Sequence, residues 1–159
     1  MINFQVYKNG VSIDCDYDYE ALKIFDFNTL FIFHGLFGRG KNWQTFSKLL
    51  TKNSDLIVIT VDLRNHGGNV FKRNHSYSLM MKDIIELLVK SGVDVNSERF
   101  DGATPLLYST FFNKVDNARI LLELGAWLDA TDGDQNDATP LHIAAWKGKK
   151  ELINLYYCN

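Results

Sequence analysis

The chain has 159 residues, 46% of them hydrophobic and 23% charged, with a formal net charge of −2 at pH 7. These are values of folded proteins, which exclude extensive disorder, and the length suffices for one domain or two small ones. The weak negative charge, with no stripe of Lys or Arg, argues against nucleic acid and anionic membranes as partners. No segment has the pattern of a signal peptide or the length of a membrane helix, so we expect a cytoplasmic protein with reduced cysteines.

The N-terminal part of the chain predicts short strands and one crossover helix. Residues 2–7 alternate weakly in polarity, and Asn9-Gly10 after them is a tight-turn signal between two strands. Residues 30–33 and 56–61 are continuous apolar runs of strand length, which suit parallel strands buried on both faces. Between these runs, apolar residues recur at helical spacing at Trp43, Phe46, Leu49 and Leu50. The order strand, loop, helix, strand forms one βαβ unit.

An acidic stretch precedes the first apolar run, with carboxylates at Asp14, Asp16, Asp18 and Glu20. A calcium-binding EF-hand loop needs glycine at its sixth position and glutamate at its twelfth, which are Tyr19 and Phe25 here. The stretch is therefore interpreted as the polar face of an edge strand.

The glycine-rich loop after residues 30–33 admits two interpretations. Gly35, Gly40 and Lys41 match a phosphate-binding P-loop, but Asn42 stands where Ser or Thr would supply a hydroxyl to magnesium. An amide replaces that ligand poorly. The second interpretation accounts for more residues, because it includes the segment that follows the next strand.

LFIFHGLFGRGKNW (residues 30–43) followed by VITVDLRNHGGN (residues 58–69) resembles the α/β-hydrolase superfamily, especially small bacterial esterases, over about residues 30–84. The resemblance implies that the loop of His34, Gly35 and Leu36 is the remnant of an oxyanion loop, with the backbone N–H of Leu36 at the oxyanion position.

Such an esterase also needs a nucleophile on a G-x-S-x-G turn, followed by an acid and a histidine. G-x-S-x-G occurs nowhere in the 159 residues, and the resemblance ends near Ile84. An oxyanion hole alone stabilises an intermediate that no nucleophile forms. We therefore expect no enzymatic activity, no catalytic residue, no cofactor and no metal.

From about residue 84 to 159 the chain resembles ankyrin repeats. Gly92 and Gly125 end predicted helices 33 residues apart, the ankyrin period, and Thr-Pro-Leu recurs at residues 104–106 and 139–141. Thr104 and Thr139 are expected to cap helices that Pro105 and Pro140 begin, and Gly92, Gly125 and Gly148 to end helices in the left-handed conformation. Residues 84–100 form half a repeat, followed by one complete repeat and one nearly complete repeat.

The complete repeat departs from the ankyrin pattern at Leu107, Ser109, Thr110 and Asn113, which replace a histidine, two alanines and a glycine. Two extra residues fall within residues 133–137. The last repeat has no capping repeat after it, which places Leu152, Leu155 and Tyr156 at an uncapped end.

We therefore predict a mixed fold: a truncated α/β, hydrolase-like segment over residues 1–80, joined to an α-helical ankyrin array over residues 81–159. The junction is expected within residues 76–91, where one amphipathic helix serves both patterns. The predicted function is protein–protein interaction without catalysis, and the alternative is a hydrolase-type enzyme or its ligand-binding remnant.

The predicted binding surface consists of Phe111, Phe112, Asp134, Trp146 and Lys147. We expect an unidentified protein partner or self-association, through the uncapped C-terminal repeat or through the strand edge of residues 30–33, which no strand is expected to cover. Gly38 is expected to tolerate substitution better than Gly125, because its loop has lost its catalytic purpose.

Overall fold

A computed structural model of the chain describes residues 3–13, 28–35, 38–133 and 137–159. They belong to two compact units, residues 1–92 and residues 93–159. The acidic stretch from Asp14 to Glu20 lies outside the described residues, so its interpretation as a strand face stays a prediction.

The first unit contains a four-stranded mixed sheet in the order β2-β1-β4-β3. The strands are β1 (Phe4–Lys8), β2 (Val11–Ile13), β3 (Thr29–Phe33) and β4 (Ile57–Val61). β1 runs antiparallel to both of its neighbours, and β3 runs parallel to β4. The predicted turn joins β1 to β2, with positive φ angles of 51° at Asn9 and 77° at Gly10, as a two-residue hairpin requires.

One core cluster of the first unit lies on one face of this sheet. Helix α1 (Gln44–Thr51) follows a 3-10 turn (Gly40–Trp43) and connects β3 to β4, which confirms the predicted βαβ unit, and helix α2 (Tyr77–Lys90) follows β4. All five residues of this central strand β4 are buried, so both faces of the sheet are covered along it. The core cluster combines alternate residues of β1 and β4 with one residue of α2: Phe4, Val6, Ile57, Ile59, Val61 and Leu87.

Helix α1 buries its polar rather than its apolar residues. Ser47 and Thr51 are buried, whereas Phe46 and Leu49 are 49% and 69% exposed. The two hydroxyls are satisfied within the helix, because Ser47 donates to the carbonyl of Trp43 at 2.8 Å and Thr51 donates to that of Ser47 at 2.9 Å. Thr51 Oγ1 also accepts the N–H of Gly10 at 3.2 Å, which holds the helix against the β1–β2 hairpin.

β3 lies at the end of the sheet, as the sequence predicts. Among the described residues it pairs with β4 and with no strand on its other side. The rings of Phe31 and Phe33 stack 6.3 Å apart and pack against the core cluster, while Leu30 on the opposite face is exposed.

The second unit consists of two helix pairs. They are formed by α3 (Pro105–Phe111) with α4 (Val115–Glu123) and by α5 (Pro140–Trp146) with α6 (Lys150–Tyr157). Both predicted caps are confirmed: the Thr104 hydroxyl accepts the N–H of Leu107, and Thr139 forms a capping box with His142. Because each Pro occupies the first turn, its missing N–H leaves no helical hydrogen bond unmade.

The predicted left-handed helix ends are also confirmed. Gly92, Gly125 and Gly148 have φ angles of 91°, 92° and 65°. Asn113 stands in for a glycine with a φ of 55°, a conformation that Asn tolerates better than most side chains.

The apolar residues that the sequence places at an uncapped end are not exposed. Leu152, Leu155 and Tyr156 are all buried in the second unit, because their spacing places them on the face of α6 that contacts α4 and α5. The exposed aromatic residue of α6 is Tyr157.

Thr110 links the two helix pairs. Its hydroxyl donates to the carbonyl of Leu106 at 2.8 Å and shares a short hydrogen bond with the hydroxyl of Tyr156. Burial raises the pKa of Tyr156, although the hydrogen bond to Thr110 lowers it in part. A polar residue thus replaces alanine without leaving a hydroxyl unsatisfied.

Candidate functional site

The hydrolase-like loops are organised by Asp62, which follows β4 directly. Its Oδ1 accepts the N–H of Gly40 at 2.6 Å and its Oδ2 accepts the N–H of Gly68 at 3.0 Å. Both carboxylate oxygens therefore accept hydrogen bonds from backbone N–H groups. Asp62 thereby connects the loop after β3 to the loop after β4. The sequence motif contains this residue, but the pattern alone did not assign it this role.

Two glycines in these loops lie where a side chain does not fit. A Cβ on Gly67, which has a φ of 57°, would lie 2.0 Å from Oδ2 of Asp62. A Cβ on Gly38 would lie 2.6 Å from Cβ of His34. That Gly38 tolerates substitution better than Gly125 stays a prediction, but its loop packs directly on a buried histidine, so a side chain there would require His34 to move.

His34 is buried and uses both ring nitrogens on backbone groups. Its Nε2 accepts the N–H of Leu63 at 3.0 Å, which places the proton on Nδ1, and Nδ1 donates to the carbonyl of Gly35 at 2.8 Å. The ring of His66 lies 4.9 Å away, with its Nδ1 at 2.8 Å from the carbonyl oxygen of Arg64. These contacts give His34 a structural role. Leu36 lies outside the described residues, so its oxyanion position stays a prediction.

An ion pair fixes the loop after β4 to α2. Arg64 donates to the two carboxylate oxygens of Asp83 at 2.7 Å each, and their side chains are only 11% and 20% exposed. Bidentate geometry and partial burial make this pair stronger than an ordinary surface pair.

A cavity of about 360 Å³ lies beside Asp62, lined by Asn3, Phe4, Gln5, Arg39, Gly40, Lys41, Thr60, Asp62, Gly67 and Gly68. Among these lining residues, Thr60 is the single hydroxyl and it is buried, while the Asp62 carboxylate is occupied by backbone donors. The described wall therefore offers basic side chains but no group arranged as a nucleophile with a base.

Four of the five residues predicted to bind a partner converge in the second unit. Phe111 and Phe112 contact each other edge to face, with their centroids 5.3 Å apart. Lys147 Nζ lies 3.6 Å from the centroid of Phe111 and 5.6 Å from that of Trp146. These four residues, termed the aromatic surface, join the ends of α3 and α5. Asp134, the fifth predicted residue, lies outside the described residues.

Two cavities flank Phe111 on this surface. One of about 240 Å³ is lined by Asp101, Ala103, Leu107, Tyr108, Phe111, Phe112, Asp132 and Ile143. The other, of about 420 Å³, is lined by Phe111, Asp132, Ala138, His142, Ile143 and Trp146. Leu107 of α3 and Ile143 of α5 contribute apolar lining, and Asp132 lines both cavities while Asp101 of the preceding repeat lines the first. The sequence prediction missed Tyr108 and Asp132, although Tyr108 lies three positions before Phe111, the helical spacing that would have included it.

Within the described residues no group of three or more His, Cys, Asp or Glu side chains is arranged to hold a metal ion. None of the helices in the described parts of the chain is long and apolar enough to cross a membrane.

Comparison with protein families gives a match to the family model described as ankyrin repeats (3 copies), over residues 76–158, which is more than half of the chain. The match includes both helix pairs of the second unit and begins at the cap of α2. Inversin of Danio rerio is 36% identical over 70 residues, which are 44% of this chain and 7% of inversin.

Other relatives belong to the α/β-hydrolase superfamily. A probable alcohol acetyltransferase of Saccharomyces cerevisiae is 31% identical over 93 residues, 54% of this chain and 27% of that protein. The sn-1-specific diacylglycerol lipase ABHD11 of Mus musculus is 37% identical over 60 residues, 38% of this chain and 20% of the lipase. The chain therefore spans about a quarter or less of the curated relatives it matches. Together with the ankyrin match, these similarities fit a hydrolase-like segment joined to ankyrin repeats.

Proposed function

Because the chain belongs to the ankyrin-repeat family, we propose that its second unit binds a protein partner through the aromatic surface. The observation that carries this proposal is the convergence of Phe111, Phe112 and Trp146, all exposed, beside two apolar cavities. Exposed aromatic clusters are uncommon on monomeric surfaces, and Trp and Tyr dominate the binding energy of many interfaces. Two successive repeats contribute to the surface, so an extended partner segment would contact both.

A matched pair of exposed aromatic residues tests this surface. Trp146 is 81% exposed and belongs to the aromatic surface, whereas Tyr157 is 86% exposed, lies on α6 and lines neither cavity. We expect a photo-crosslinking amino acid at position 146 to give a defined adduct with a partner in cells, and the same group at 157 to give none. Trp146→Ala should weaken capture of that partner at least about tenfold, the typical effect of losing an interface anchor. Adducts of equal yield from both positions would contradict the proposal.

We further propose that the hydrolase-like segment does not catalyse ester hydrolysis. Its support is the lack of G-x-S-x-G in these 159 residues and the occupation of both Asp62 oxygens by backbone donors. An assay of the purified chain with a short acyl ester should give turnover no higher than the buffer blank. Turnover that a serine-directed phosphonate abolishes would show that the chain is a hydrolase and overturn this proposal.

The similarity to an acetyltransferase and a lipase favours one alternative, a remnant that binds acyl esters without cleaving them. The basic cavity beside Asp62 is the place for such a ligand, since Arg39 and Lys41 line it. Titration with a non-hydrolysable ester analogue, followed by amide shifts of Gly40 and Gly68, separates this alternative from a segment with no ligand.

The junction of the two sequence patterns is proposed to lie within α2. The family match begins at residue 76, while Leu87 of the same helix belongs to the core cluster of the sheet. These two observations support one helix that serves both patterns. The predicted boundary between residues 80 and 81 stays a prediction, and limited proteolysis of the folded chain is its test.

A further inference from the structure

We propose that the outer edge of β3 is a self-association site, which pairs with β3 of a second copy of the chain in antiparallel orientation. The site differs from the aromatic surface, because it uses the backbone of the first unit and no residue of the repeats. Its support comes from the direction of the strand's backbone groups, from its composition and from its self-complementary register.

The backbone groups of β3 alternate between two directions. The N–H of Ile57 in β4 donates to the carbonyl of Asn28 at 2.9 Å, so the backbone of residue 28 points towards β4. Backbone direction repeats every second residue along a strand, so Leu30 and Ile32 point the same way. Phe31 and Phe33 therefore aim their N–H and C=O groups away from the sheet.

The composition of Phe31 and Phe33 leaves their part of this edge unprotected among the described residues. Exposed sheet edges are normally blunted by charged side chains, by proline or by a very short strand. β3 has the sequence TLFIF, with none of these devices, and it is the end strand among the described residues. The opposite edge differs, because β2 has only three residues, with Lys8 and the left-handed Asn9 and Gly10 just before them.

The register that pairs phenylalanine with phenylalanine across a two-fold axis is the one that we propose. When Ile32 faces Ile32 of the second copy across a two-fold axis, Phe31 of each chain faces Phe33 of the other. These Phe pairs have the outward-pointing groups, so each pair exchanges both of its N–H···O=C bonds. Phe31 and Phe33 already stack within the strand at 6.3 Å, so pairing extends their rings into a cross-strand aromatic ladder.

This pairing commits the edge to a second copy and to a closed dimer. β3 carries no charged side chain, so nothing in it favours a partner of opposite charge. The two-fold arrangement uses the same edge of both chains, which closes the dimer. Pairing of β3 with β2 of another copy would instead leave a free edge on each chain and produce open filaments.

Sedimentation velocity and amide exchange of the full chain over a dilution series test the edge. We expect a monomer–dimer equilibrium, with protection of the Phe31 and Phe33 amides rising at least about tenfold from the most dilute to the most concentrated sample. The Ile32 amide, which points to β4, should be protected throughout. A monomer at all concentrations, whether the Phe31 and Phe33 amides are exposed or already protected by the chain's own residues, would overturn the proposal. So would growth into filaments.

A cysteine substitution tests the register. In a chain with Cys15→Ser and Cys158→Ser, Ile32→Cys should form a disulfide-linked dimer on mild oxidation with oxidised glutathione. Residues facing each other without backbone hydrogen bonds lie about 4.5 Å apart at Cα, within the range that a disulfide spans. Leu49→Cys in the same background is the control, since Leu49 is more exposed but lies on α1. Equal dimer yields from the two variants, or none from Ile32→Cys, would overturn the register and the proposal.

Discussion

The helix starts of the second unit are fixed by local hydrogen bonds, whereas the loops of the first unit are held by hydrogen bonds between distant residues. In the second unit the Thr104 hydroxyl accepts the N–H of Leu107, three residues away, and each helix pair repeats similar local solutions. In the first unit the His34 ring accepts the N–H of Leu63, 29 residues away, and the N–H of Asn3 donates to Asn69, 66 residues away. Structure built from local contacts forms repeat by repeat, whereas structure built from distant contacts needs the whole unit in place.

The units also differ in what they leave exposed. The first unit presents a strand edge, which is a backbone surface, and the second presents aromatic side chains on its helices. A backbone edge pairs through main-chain hydrogen bonds in a register set by its side chains, whereas side chains around cavities select a partner by shape. The chain therefore combines a surface suited to self-pairing with one suited to selective recognition.

The largest expected effect separates the two units by their cores. Leu152→Ala in the second unit and Leu87→Ala in the first should each lower the free energy of unfolding by about 2–5 kcal/mol, because both side chains are almost fully buried. Amide exchange of α4 and β4 reports the two units separately. Each substitution should reduce protection in its own unit alone, and Leu49→Ala on the exposed side of α1 should change neither. Equal loss in both units from either substitution would break the comparison, because it would mean that they unfold together.

A smaller effect is expected from a glycine pair that differs in backbone conformation. A Cβ has open space at both Gly125 and Gly35, but only Gly125 has a positive φ, at 92°. Gly125→Val should cost roughly 1–2 kcal/mol or more, because a β-branched residue is strained there. Gly35→Ala should lie within about 0.5 kcal/mol of the parent. Both are measured by chemical denaturation, and equal midpoints for Gly125→Val and the parent would contradict the repeat assignment.

The next effect, smaller again, depends on pH. Burial raises the pKa of Tyr156 above its usual value, so the folded second unit favours the neutral hydroxyl. The contribution of Tyr156 to the stability of the second unit is therefore fully present below about pH 10, the pKa of tyrosine in the unfolded chain. It is lost as the pH rises through the higher pKa of the folded state. Tyr156→Phe should cost about 1 kcal/mol at neutral pH, through the lost hydrogen bond to Thr110, and should flatten this alkaline loss in the second unit.

Tyr7 is the matching residue of the first unit, where burial also raises the pKa. Tyr7→Phe should reduce the loss of stability that the first unit shows at alkaline pH, as measured by amide exchange of β4. The alkaline loss of stability in the second unit should be unchanged. If Tyr156→Phe alters the pH dependence of both units, the tyrosines do not act locally.

The smallest effect concerns the departure of the complete repeat from its pattern. Asn113 occupies a left-handed turn that Gly148 occupies in the next repeat, with φ angles of 55° and 65°. Asn113→Gly should change the free energy of unfolding by no more than about 0.5 kcal/mol, because relief of the turn is offset by greater freedom of the unfolded chain. Thermal denaturation of Asn113→Gly and of Gly148→Asn measures the effect of replacing Asn by Gly and of replacing Gly by Asn at the equivalent turn. A gain above about 1 kcal/mol for Asn113→Gly would show that this repeat is strained at the turn.

Local chemistry explains which features could be predicted from sequence. The Thr-Pro starts, the left-handed ends at Gly125 and Gly148, and the Asn9-Gly10 hairpin each depend on neighbours within a few residues. The strand order was also partly predictable, since the loss of sequence similarity after residue 84 implied an open edge at β3, and β3 is the end strand among the described residues.

Only the tertiary structure decided which faces are buried and which groups meet. It turned Ser47 rather than Phe46 inward on α1, placed Leu152 inside the second unit, and filled the space around Gly38 with His34. It also brought Lys147 over Phe111, although 36 positions separate them in the sequence. Spacing along one element gives the direction of its side chains but not what lies opposite them. Burial and contact depend on both sides, so the sequence determined the elements and their ends, and packing determined the surfaces that remain available for binding.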